Sequence, residues 1–246
     1  MNISAYLDSH IAVRVADLPG PVLQDIMQAM TIDNVEKENE LRHHEKGPED
    51  MPDWIELFEI EDDILYLPRG CAAHLTEALY EDYDIEFDWI DNRCRKQGYQ
   101  GGNPIPVRPY QTKIVDAIME AEQGIVLAPT GAGKTVAALE IIRDCGGNAL
   151  VIVNTKEIAG QWMTRCADWL GEDYPVSLIG DSKFEISDGL TVAIQGTLWS
   201  RREALKEDGF FDRFQTVCLD ECHHVTARTY NHVISQFAAQ VRFGMS

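Results

Sequence analysis

Short apolar runs alternate with amphipathic segments through the second half of the chain. The runs have the length and composition of strands, and they are GIVLA (124–128), ALVIVN (149–154), VSLIG (176–180), TVAIQ (191–195), TVCLD (216–220) and VRFGM (241–245). Between most of them, apolar residues recur at the spacing of a helix with one buried face. This alternation predicts an α/β domain in which a parallel sheet carries helices on both faces.

The first hundred residues carry a different pattern. It predicts two short strands that turn at Asp62 and Asp63, one further strand, and two amphipathic helices. The sequences are WIELFEIEDDILYLPRG (54–70) for the strand pair, IAVRVAD (11–17) for the other strand, and PGPVLQDIMQAM (19–30) and CAAHLTEALYED (71–82) for the helices. These elements predict a small α/β module.

Two segments interrupt the hydrophobic patterning. Residues 33–50 are charged and almost free of large apolar side chains, which predicts a solvated loop in which His43 and His44 are exposed rather than metal-bound. Residues 96–106, KQGYQGGNPIP, are rich in glycine and proline. We therefore predict an accessory module at residues 1–95, a linker at 96–106 and a second domain at 107–246.

The composition excludes several classes of protein. The apolar runs are too short to span a bilayer, and the N-terminus lacks a basic start followed by an apolar block, so we expect an intracellular, cytoplasmic protein without a membrane partner. The six cysteines form no C-x-x-C pair. This spacing indicates reduced thiols and argues against a zinc site.

The formal net charge of −20 is distributed unevenly. Residues 1–106 hold 23 acidic and 8 basic side chains, a net of −15, whereas residues 107–246 hold 18 and 13, a net of −5. A face that binds nucleic acid non-specifically is normally basic. The first module therefore either faces a protein partner or confines its cations to a small patch, unless the acidity only keeps the protein soluble.

A phosphate-binding loop is predicted where the strand at 124–128 runs through APTGAGKT into a helix. Backbone N–H groups of Thr130, Gly131, Ala132 and Gly133 would converge on phosphate oxygens there. Two side chains complete the pattern. Lys134 would reach the outer phosphates, and the hydroxyl of Thr135 would bind Mg²⁺. Ala128 replaces the usual first glycine, and the alternative is a glycine-rich turn without a ligand.

Two carboxylates follow the strand TVCL in TVCLDECHH (216–224). Asp220 stands where a second magnesium contact is needed. Glu221 stands beside it and would act as the general base for the water that attacks the γ-phosphate. Such a pair is also a common polar boundary at the end of a strand. Together with the phosphate loop, it predicts an ATPase with Lys134, Asp220 and Glu221 as its catalytic residues.

With these residues, the chain resembles superfamily 2 helicases and translocases of the DExH type over residues 107–246, with DECH at 220–223 as the signature. Within them it is most similar to the DNA-repair and phage branch related to XPB and UvsW. The resemblance implies ATP and Mg²⁺ as cofactors and a RecA-like fold. It also implies that Arg108 and Gln111 of RPYQ read adenine, although a glutamine there is otherwise an ordinary residue at a helix start.

Nucleic-acid contacts follow from the same resemblance. VNTKEIAGQW (153–162) and VAIQGTLW (192–199) are similar to strand-end motifs of the family. They imply that Thr155, Lys156, Gln195 and Thr197 contact nucleic acid, with DNA favoured over RNA. The alternative for the two threonines is that they cap the helices that follow.

The last strand continues in this family into a Ser-Ala-Thr motif that couples hydrolysis to movement, with Ser246 as its first residue. His223 would take part in this coupling. We therefore expect an accessory module and the first RecA-like domain of an ATP-driven DNA helicase or translocase, truncated at that motif. A second RecA-like domain, missing from this chain, would supply the arginine fingers, since Arg201, Arg202 and Arg228 are poorly spaced to do so.

Two other functions remain open at this point. One is a phosphotransferase, in which the phosphate loop serves a small-molecule acceptor. The other is a non-catalytic module that binds ATP as a structural ligand. The motifs DECHH and RPYQ argue against the first.

Overall fold

The computed structural model describes residues 1–34, 37, 51–223 and 228–246. Most of the predicted solvated loop, including His43 and His44, lies outside the described residues. The chain forms two compact units, Met1–Asn92 and Arg93–Ser246. Among the described helices, none has the length and apolar character needed to cross a bilayer.

The first unit is built around a mixed sheet. In chain order its elements are β1 Asn2–Leu7, β2 His10–Arg14, α1 Gly20–Ala29, β3 Thr31–Asp33, β4 Trp54–Glu56, β5 Glu59–Glu61, β6 Ile64–Pro68, α2 Ala72–Tyr83 and β7 Glu86–Asp91. The strand order in the sheet is β5-β6-β2-β1-β7, in which β1 and β7 are parallel and the other pairs antiparallel. Strands β3 and β4 form a separate ribbon.

One face of this sheet is buried under both helices. Alternate side chains of the strands and the apolar stripes of the helices form one core, which includes Ile3, Ala5, Ile11, Val13, Val22, Ile26, Leu65, Leu67, Leu75 and Leu79. The predicted turn is confirmed, since Asp62 and Asp63 have φ of 49° and 66°, the left-handed values that a tight hairpin requires. Strand β7 was not predicted, because acidic residues at Glu86 and Asp88 lower its strand propensity.

The second unit contains a larger sheet. In chain order its elements are α3 Pro109–Ala121, β8 Gln123–Val126, α4 Lys134–Cys145, β9 Ala149–Val153, α5 Lys156–Leu170, β10 Val176–Gly180, β11 Lys183–Phe184, β12 Leu190–Ile194, α6 Gln195–Ser200, α7 Arg202–Glu207, β13 Thr216–Leu219, α8 Arg228–Ser235 and β14 Val241–Met245. The strand order in the sheet is β11-β10-β12-β9-β13-β14-β8. Its described pairings are parallel apart from the antiparallel pair β10–β11.

Helices cover both faces of this sheet, as predicted. Along β9, Val151 and Val153 pack with α3, α4 and α5, whereas Leu150 and Ile152 pack with α6, α7 and α8. This division follows from the period of two along a strand. Because both faces are buried, the strands are continuous apolar runs rather than alternating ones.

The glycine-rich segment at 96–106, predicted as a linker, is part of the second unit and packs against the rest of it. The backbone N–H of Gly98 donates to the backbone carbonyl oxygen of Gly146 at 3.0 Å, and that of Tyr99 donates to the backbone carbonyl oxygen of Asp188 at 2.7 Å. A Cβ at Gly98 would lie 2.0 Å from the Asp188 carbonyl oxygen. The glycine here permits close backbone contact rather than flexibility, and the boundary between the units falls earlier, between Asn92 and Arg93.

The cysteines are free thiols, of which Cys145, Cys166, Cys218 and Cys222 are buried. Burial raises the pKa of Cys166 to about 12 and raises that of Cys218 well above its ordinary value. These thiols are therefore protonated at neutral pH and poor nucleophiles.

Asn148 is expected to be the most sensitive polar position of this packing. It has a φ of 49°. Its side-chain amide donates to the carbonyl oxygens of Lys96 at 3.0 Å and Arg213 at 2.6 Å. Asn148→Ala removes both hydrogen bonds and places alanine in a left-handed conformation, so we expect the free energy of unfolding to fall by roughly 2–4 kcal/mol. Asn148→Gly removes the same bonds without that backbone cost and should lose less. Urea unfolding followed by tryptophan fluorescence measures both, and equal stability of Asn148→Ala and the parent would contradict the expectation.

Candidate functional site

Apart from Arg108 and Gln111, which lie at the start of α3, the predicted site residues follow strands that end at one edge of the larger sheet. Strands β8, β9, β12, β13 and β14 are parallel, so their carboxyl ends meet there. The segments that leave this edge contain the loop 127–133, Thr155, Gln195, Asp220 and Ser246. The fold thus brings together positions that are up to 119 residues apart in the sequence, from 127 to 246.

The loop between β8 and α4 has the backbone of a phosphate-binding loop. Gly131 and Gly133 have φ of 84° and 77°, which glycine adopts without steric cost. Helix α4 begins at Lys134, so its N-terminal N–H groups and positive dipole end adjoin the loop. The Lys134 ammonium donates to the Ala128 carbonyl oxygen at 2.8 Å, and this contact holds the cation within the loop.

The DECH segment begins directly after β13. Asp220 accepts a hydrogen bond from the backbone N–H of Glu221 at 3.0 Å and another from the Trp162 indole N–H at 2.7 Å. Glu221 has a φ of 51°, a strained value for a residue with a side chain, and such strain is concentrated at functional sites. The Nδ1 atom of His223 lies 3.4 Å from the Glu221 carboxylate and 3.1 Å from the Ser246 hydroxyl.

Helix α5 joins the phosphate loop to the DECH segment. Arg165 donates to the hydroxyl oxygen of Thr135 at 2.6 Å, while Trp162 donates to Asp220 at 2.7 Å. Side chains three residues apart on a helix lie on the same face. Thr135 and Asp220 therefore both lie beside one face of α5. This proximity was predicted from the motifs, but the two α5 side chains that produce it were not.

The arrangement of Thr135 and Asp220 fits Mg²⁺. A hydroxyl and a carboxylate are hard oxygen ligands, which this ion prefers. Within the described residues, no group of three or more His, Cys, Asp and Glu side chains could hold a metal ion by itself. A protein site of two oxygen ligands suits an ion that completes its coordination shell with phosphate oxygens and water.

Charges from both motifs act on Cys222. Burial raises the pKa of this thiol most, and the negative charges of Glu221 and Asp220 raise it further. The positive charge of Lys134 lowers it. Because the charges of the loop lysine and of both DECH carboxylates affect the same thiol, the three charged groups all lie near Cys222.

Gln111 lies beneath the phosphate loop. It is 4% exposed. Its amide nitrogen donates to the carbonyl oxygens of Ala132 and Gly133 at 3.2 and 3.1 Å, and its amide oxygen accepts from the Arg108 backbone N–H at 2.8 Å. Both ends of the amide are therefore bonded to the backbone, whereas the sequence predicted that Gln111 would read the adenine edge. These contacts support the backbone of the loop, because a buried amide must satisfy its polar atoms locally, and the reading of adenine by Gln111 stays a prediction.

A pocket of about 130 Å³ opens beside Gln111. Its lining residues belong to the segment 96–106, RPYQ, the loop, α4 and the end of α5, and they are Pro106, Arg108, Gln111, Gly131, Ala132, Gly133, Val136 and Trp169. Trp169 was not among the predicted site residues. The sequence contains a pattern that could have identified Trp169. It follows Trp162 by seven residues, so both tryptophans lie near the same face of α5.

The predicted nucleic-acid contacts lie at the same sheet edge. Thr155 caps α5, because its hydroxyl oxygen accepts from the Ile158 N–H at 3.3 Å. Lys156 forms a 2.6 Å ion pair with Asp181, and both side chains are exposed. Gln195 is the first residue of α6, and Thr197 lies within that helix rather than at its cap.

Two of the arginines that the sequence indicated to be poorly spaced for an arginine finger stack on aromatic rings. The guanidinium carbon of Arg201 lies 5.1 Å from the ring centroid of Phe184, and that of Arg202 lies 4.1 Å from the ring centroid of Trp199. The side chain of Arg228 lies outside the described part of the chain. Arg165, which the sequence did not single out, is the arginine that contacts Thr135 of the phosphate loop.

Comparison with known proteins gives the family. A family model described as "Type III restriction enzyme, res subunit" matches residues 104–246, more than half of the chain. The DNA 3'-5' translocase XPB2 of Sulfurisphaera tokodaii is 31% identical over 142 residues, covering 58% of this chain and 30% of the relative. The helicase/translocase subunit XPB of general transcription and DNA repair factor IIH of Schizosaccharomyces pombe is 25% identical over 214 residues, covering 80% and 26%. The chain thus spans less than a third of either relative.

The fold is shared with a solved structure. The UvsW helicase from bacteriophage T4 superposes with a TM-score of 0.71 at 17% identity, covering 100% of this chain and 92% of that one. The family match and this likeness confirm the predicted RecA-like fold of a superfamily 2 helicase domain.

Gln111→Glu is expected to weaken nucleotide binding. The substitution replaces the amide donor with a carboxylate oxygen that faces the carbonyl oxygens of Ala132 and Gly133. Unsatisfied carbonyl oxygens cost about 1–3 kcal/mol each, so the loop should shift and the affinity for ATP should fall at least about tenfold. Calorimetric titration measures this. The matched control is Gln28→Glu, an exposed position of α1, and unchanged ATP affinity in Gln111→Glu would exclude the supporting role.

Proposed function

We propose that this chain, which belongs to the Type III restriction enzyme, res subunit family, is the ATP-binding part of a DNA helicase or translocase of the DExH type. The observation that carries the proposal is the convergence of the phosphate loop and the DECH segment on one face of α5. A loop that holds phosphates and a carboxylate pair for metal and water are the two parts that ATP hydrolysis requires.

The proposed roles follow from position. Lys134 and the N–H groups of Thr130 to Gly133 bind the phosphates, because they lie in the loop and at the N-terminus of α4. Thr135 and Asp220 hold Mg²⁺, which when bound neutralises phosphate charge. Glu221 holds the attacking water and takes its proton as the general base.

The pocket beside Gln111 is proposed to take adenine. Trp169 and Arg108 line it, and an indole and a guanidinium are both suited to stack on a purine. The pocket adjoins the phosphate loop, as a base bonded through ribose to the phosphates requires. Gln111 then favours ATP indirectly, by fixing the loop.

DNA is the proposed polymer substrate, since two of the similar proteins are DNA translocases or DNA repair helicases by name. Thr155, Lys156, Gln195 and Thr197 would contact its backbone at the sheet edge. Hydroxyl groups and helix N-termini bind phosphate and sugar with few cations, so a net charge of −5 over residues 107–246 is tolerable. Lys156 would exchange Asp181 for a phosphate when DNA binds.

Three further features belong to the proposal. The subgroup is the XPB- and UvsW-like, phage-type branch, and the protein acts inside the cell. Residues 1–95 form an accessory module whose acidity suits a protein partner. A second RecA-like domain supplies the arginine fingers and the rest of the DNA track, and contact between His223 and Ser246 couples hydrolysis to movement.

DNA-stimulated hydrolysis tests the function. We expect the 246-residue chain to bind ATP with Mg²⁺ but to hydrolyse it slowly, because an arginine finger contributes roughly 10³ to 10⁵ in rate. Adding a second RecA-like domain from the XPB group should restore hydrolysis that DNA stimulates. The control is Lys134→Ala, which should lose at least about tenfold in ATP affinity. Stimulation by small metabolites instead of DNA would favour a phosphotransferase, and no turnover in either form would favour a non-catalytic module.

Glu221 and Asp220 are expected to differ in role. In the two-domain form, Glu221→Gln should keep its affinity for ATP and Mg²⁺ but lose turnover by about 100-fold or more, as expected for removal of a general base. Asp220→Asn should also weaken the dependence on Mg²⁺. Titrations with ATP and Mg²⁺ together with steady-state rates separate the two. Hydrolysis by Glu221→Gln at the parent rate would assign the base to another residue.

A further inference from the structure

We propose that Trp162 is a positioning residue for the magnesium site, acting through Asp220. The inference rests on the proposed function and adds to it a residue outside the nucleotide-binding motifs. Its basis is a hydrogen bond between a buried indole N–H and the carboxylate expected to hold the metal ion.

The environment of Trp162 makes this contact specific. The residue is 1% exposed and belongs to the core between α5 and the sheet. A buried indole N–H needs an acceptor, and here the acceptor is Oδ2 of Asp220 at 2.7 Å. The packing of the bicyclic ring fixes the direction of the N–H, so the ring fixes the position of the carboxylate oxygen.

The second oxygen of Asp220 is also held. Oδ1 accepts from the Glu221 backbone N–H at 3.0 Å. Two donors on opposite oxygens fix both the rotamer and the plane of the carboxylate. Such a fixed orientation suits a carboxylate that is proposed to hold a metal ion.

The donor is neutral, and this matters for a cation site. A lysine or arginine in place of Trp162 would orient Asp220 but would also compensate its charge and so weaken the attraction for Mg²⁺. The indole N–H orients the carboxylate without itself adding a positive charge beside it. Hydrogen-bonding partners of metal ligands typically contribute about 10- to 100-fold to metal affinity.

The position of α5 is itself fixed next to the other expected ligand. Arg165, one helical turn after Trp162, donates to the hydroxyl oxygen of Thr135 at 2.6 Å. The helix therefore spans from the loop to the DECH segment, and Trp162 sets Asp220 relative to Thr135.

The test measures the Mg²⁺ dependence of ATP binding to the whole chain. ATP is titrated calorimetrically at a series of free Mg²⁺ concentrations and in EDTA. In Trp162→Phe, which lacks the N–H, the apparent Mg²⁺ affinity of the ATP complex should weaken by about tenfold. ATP binding in EDTA should stay within about twofold of the parent, because the phosphate loop is intact.

Two further variants separate positioning from packing. Replacement of Trp162 by 3-benzothienylalanine keeps the bicyclic shape and removes only the N–H, so it should reproduce the Mg²⁺ defect while losing no more thermal stability than the loss of one hydrogen bond causes. Trp199→Phe, on α6 at the opposite face of the sheet, is the matched control and should leave the Mg²⁺ dependence unchanged.

A double-mutant cycle shows whether Trp162 acts through Asp220. In an Asp220→Ala background, Trp162→Phe should weaken the Mg²⁺ dependence no further, since the acceptor is already absent. A parental Mg²⁺ dependence in the benzothienyl variant, or an additional defect in the double variant, would overturn the proposal. If the parent chain itself binds ATP without any effect of Mg²⁺, the proposed function fails and this inference fails with it.

Discussion

The common carboxyl edge of the parallel sheet is the constraint on which the rest of the second unit depends. Parallel pairing of β8, β9, β12, β13 and β14 forces their exits to one side. Each exit then needs polar groups that satisfy strand ends and helix starts, and these groups include most of the residues to which we assign a function. In the described part of the chain, both faces of this sheet are buried under helices, so neither face is open to a ligand.

Local sequence predicted those parts of the site whose geometry is set by near neighbours. The loop glycines, Lys134 and the DECH carboxylates are recognisable because their conformation depends on residues within one strand, turn and helix. Strand positions were predicted for the same reason, since continuous apolar runs identify strands buried on both faces.

The contacts that the sequence did not reveal join residues that are far apart along the chain. Trp162 and Asp220 are 58 residues apart, and Arg165 and Thr135 are 30 apart. The sequence indicates that Trp162 is a core residue, and the structure confirms that it is buried. Burial alone, however, does not show which acceptor its indole N–H bonds. For the related reason, the sequence did not reveal that the amide of Gln111 bonds the carbonyl oxygens of the folded loop, 21 and 22 residues away.

Asp220 links the two chemical tasks of the site. The same carboxylate that is placed to hold a metal ion accepts the backbone N–H of Glu221, whose φ of 51° is costly for a residue with a side chain. That hydrogen bond helps to stabilise the strained backbone and so sets the direction of the Glu221 side chain. A displacement of Asp220 would therefore move the proposed general base as well as the proposed metal ligand. Since Trp162 fixes Asp220 from within the core, the positions of the Asp220 and Glu221 carboxylates both depend on the packing of α5 against the sheet.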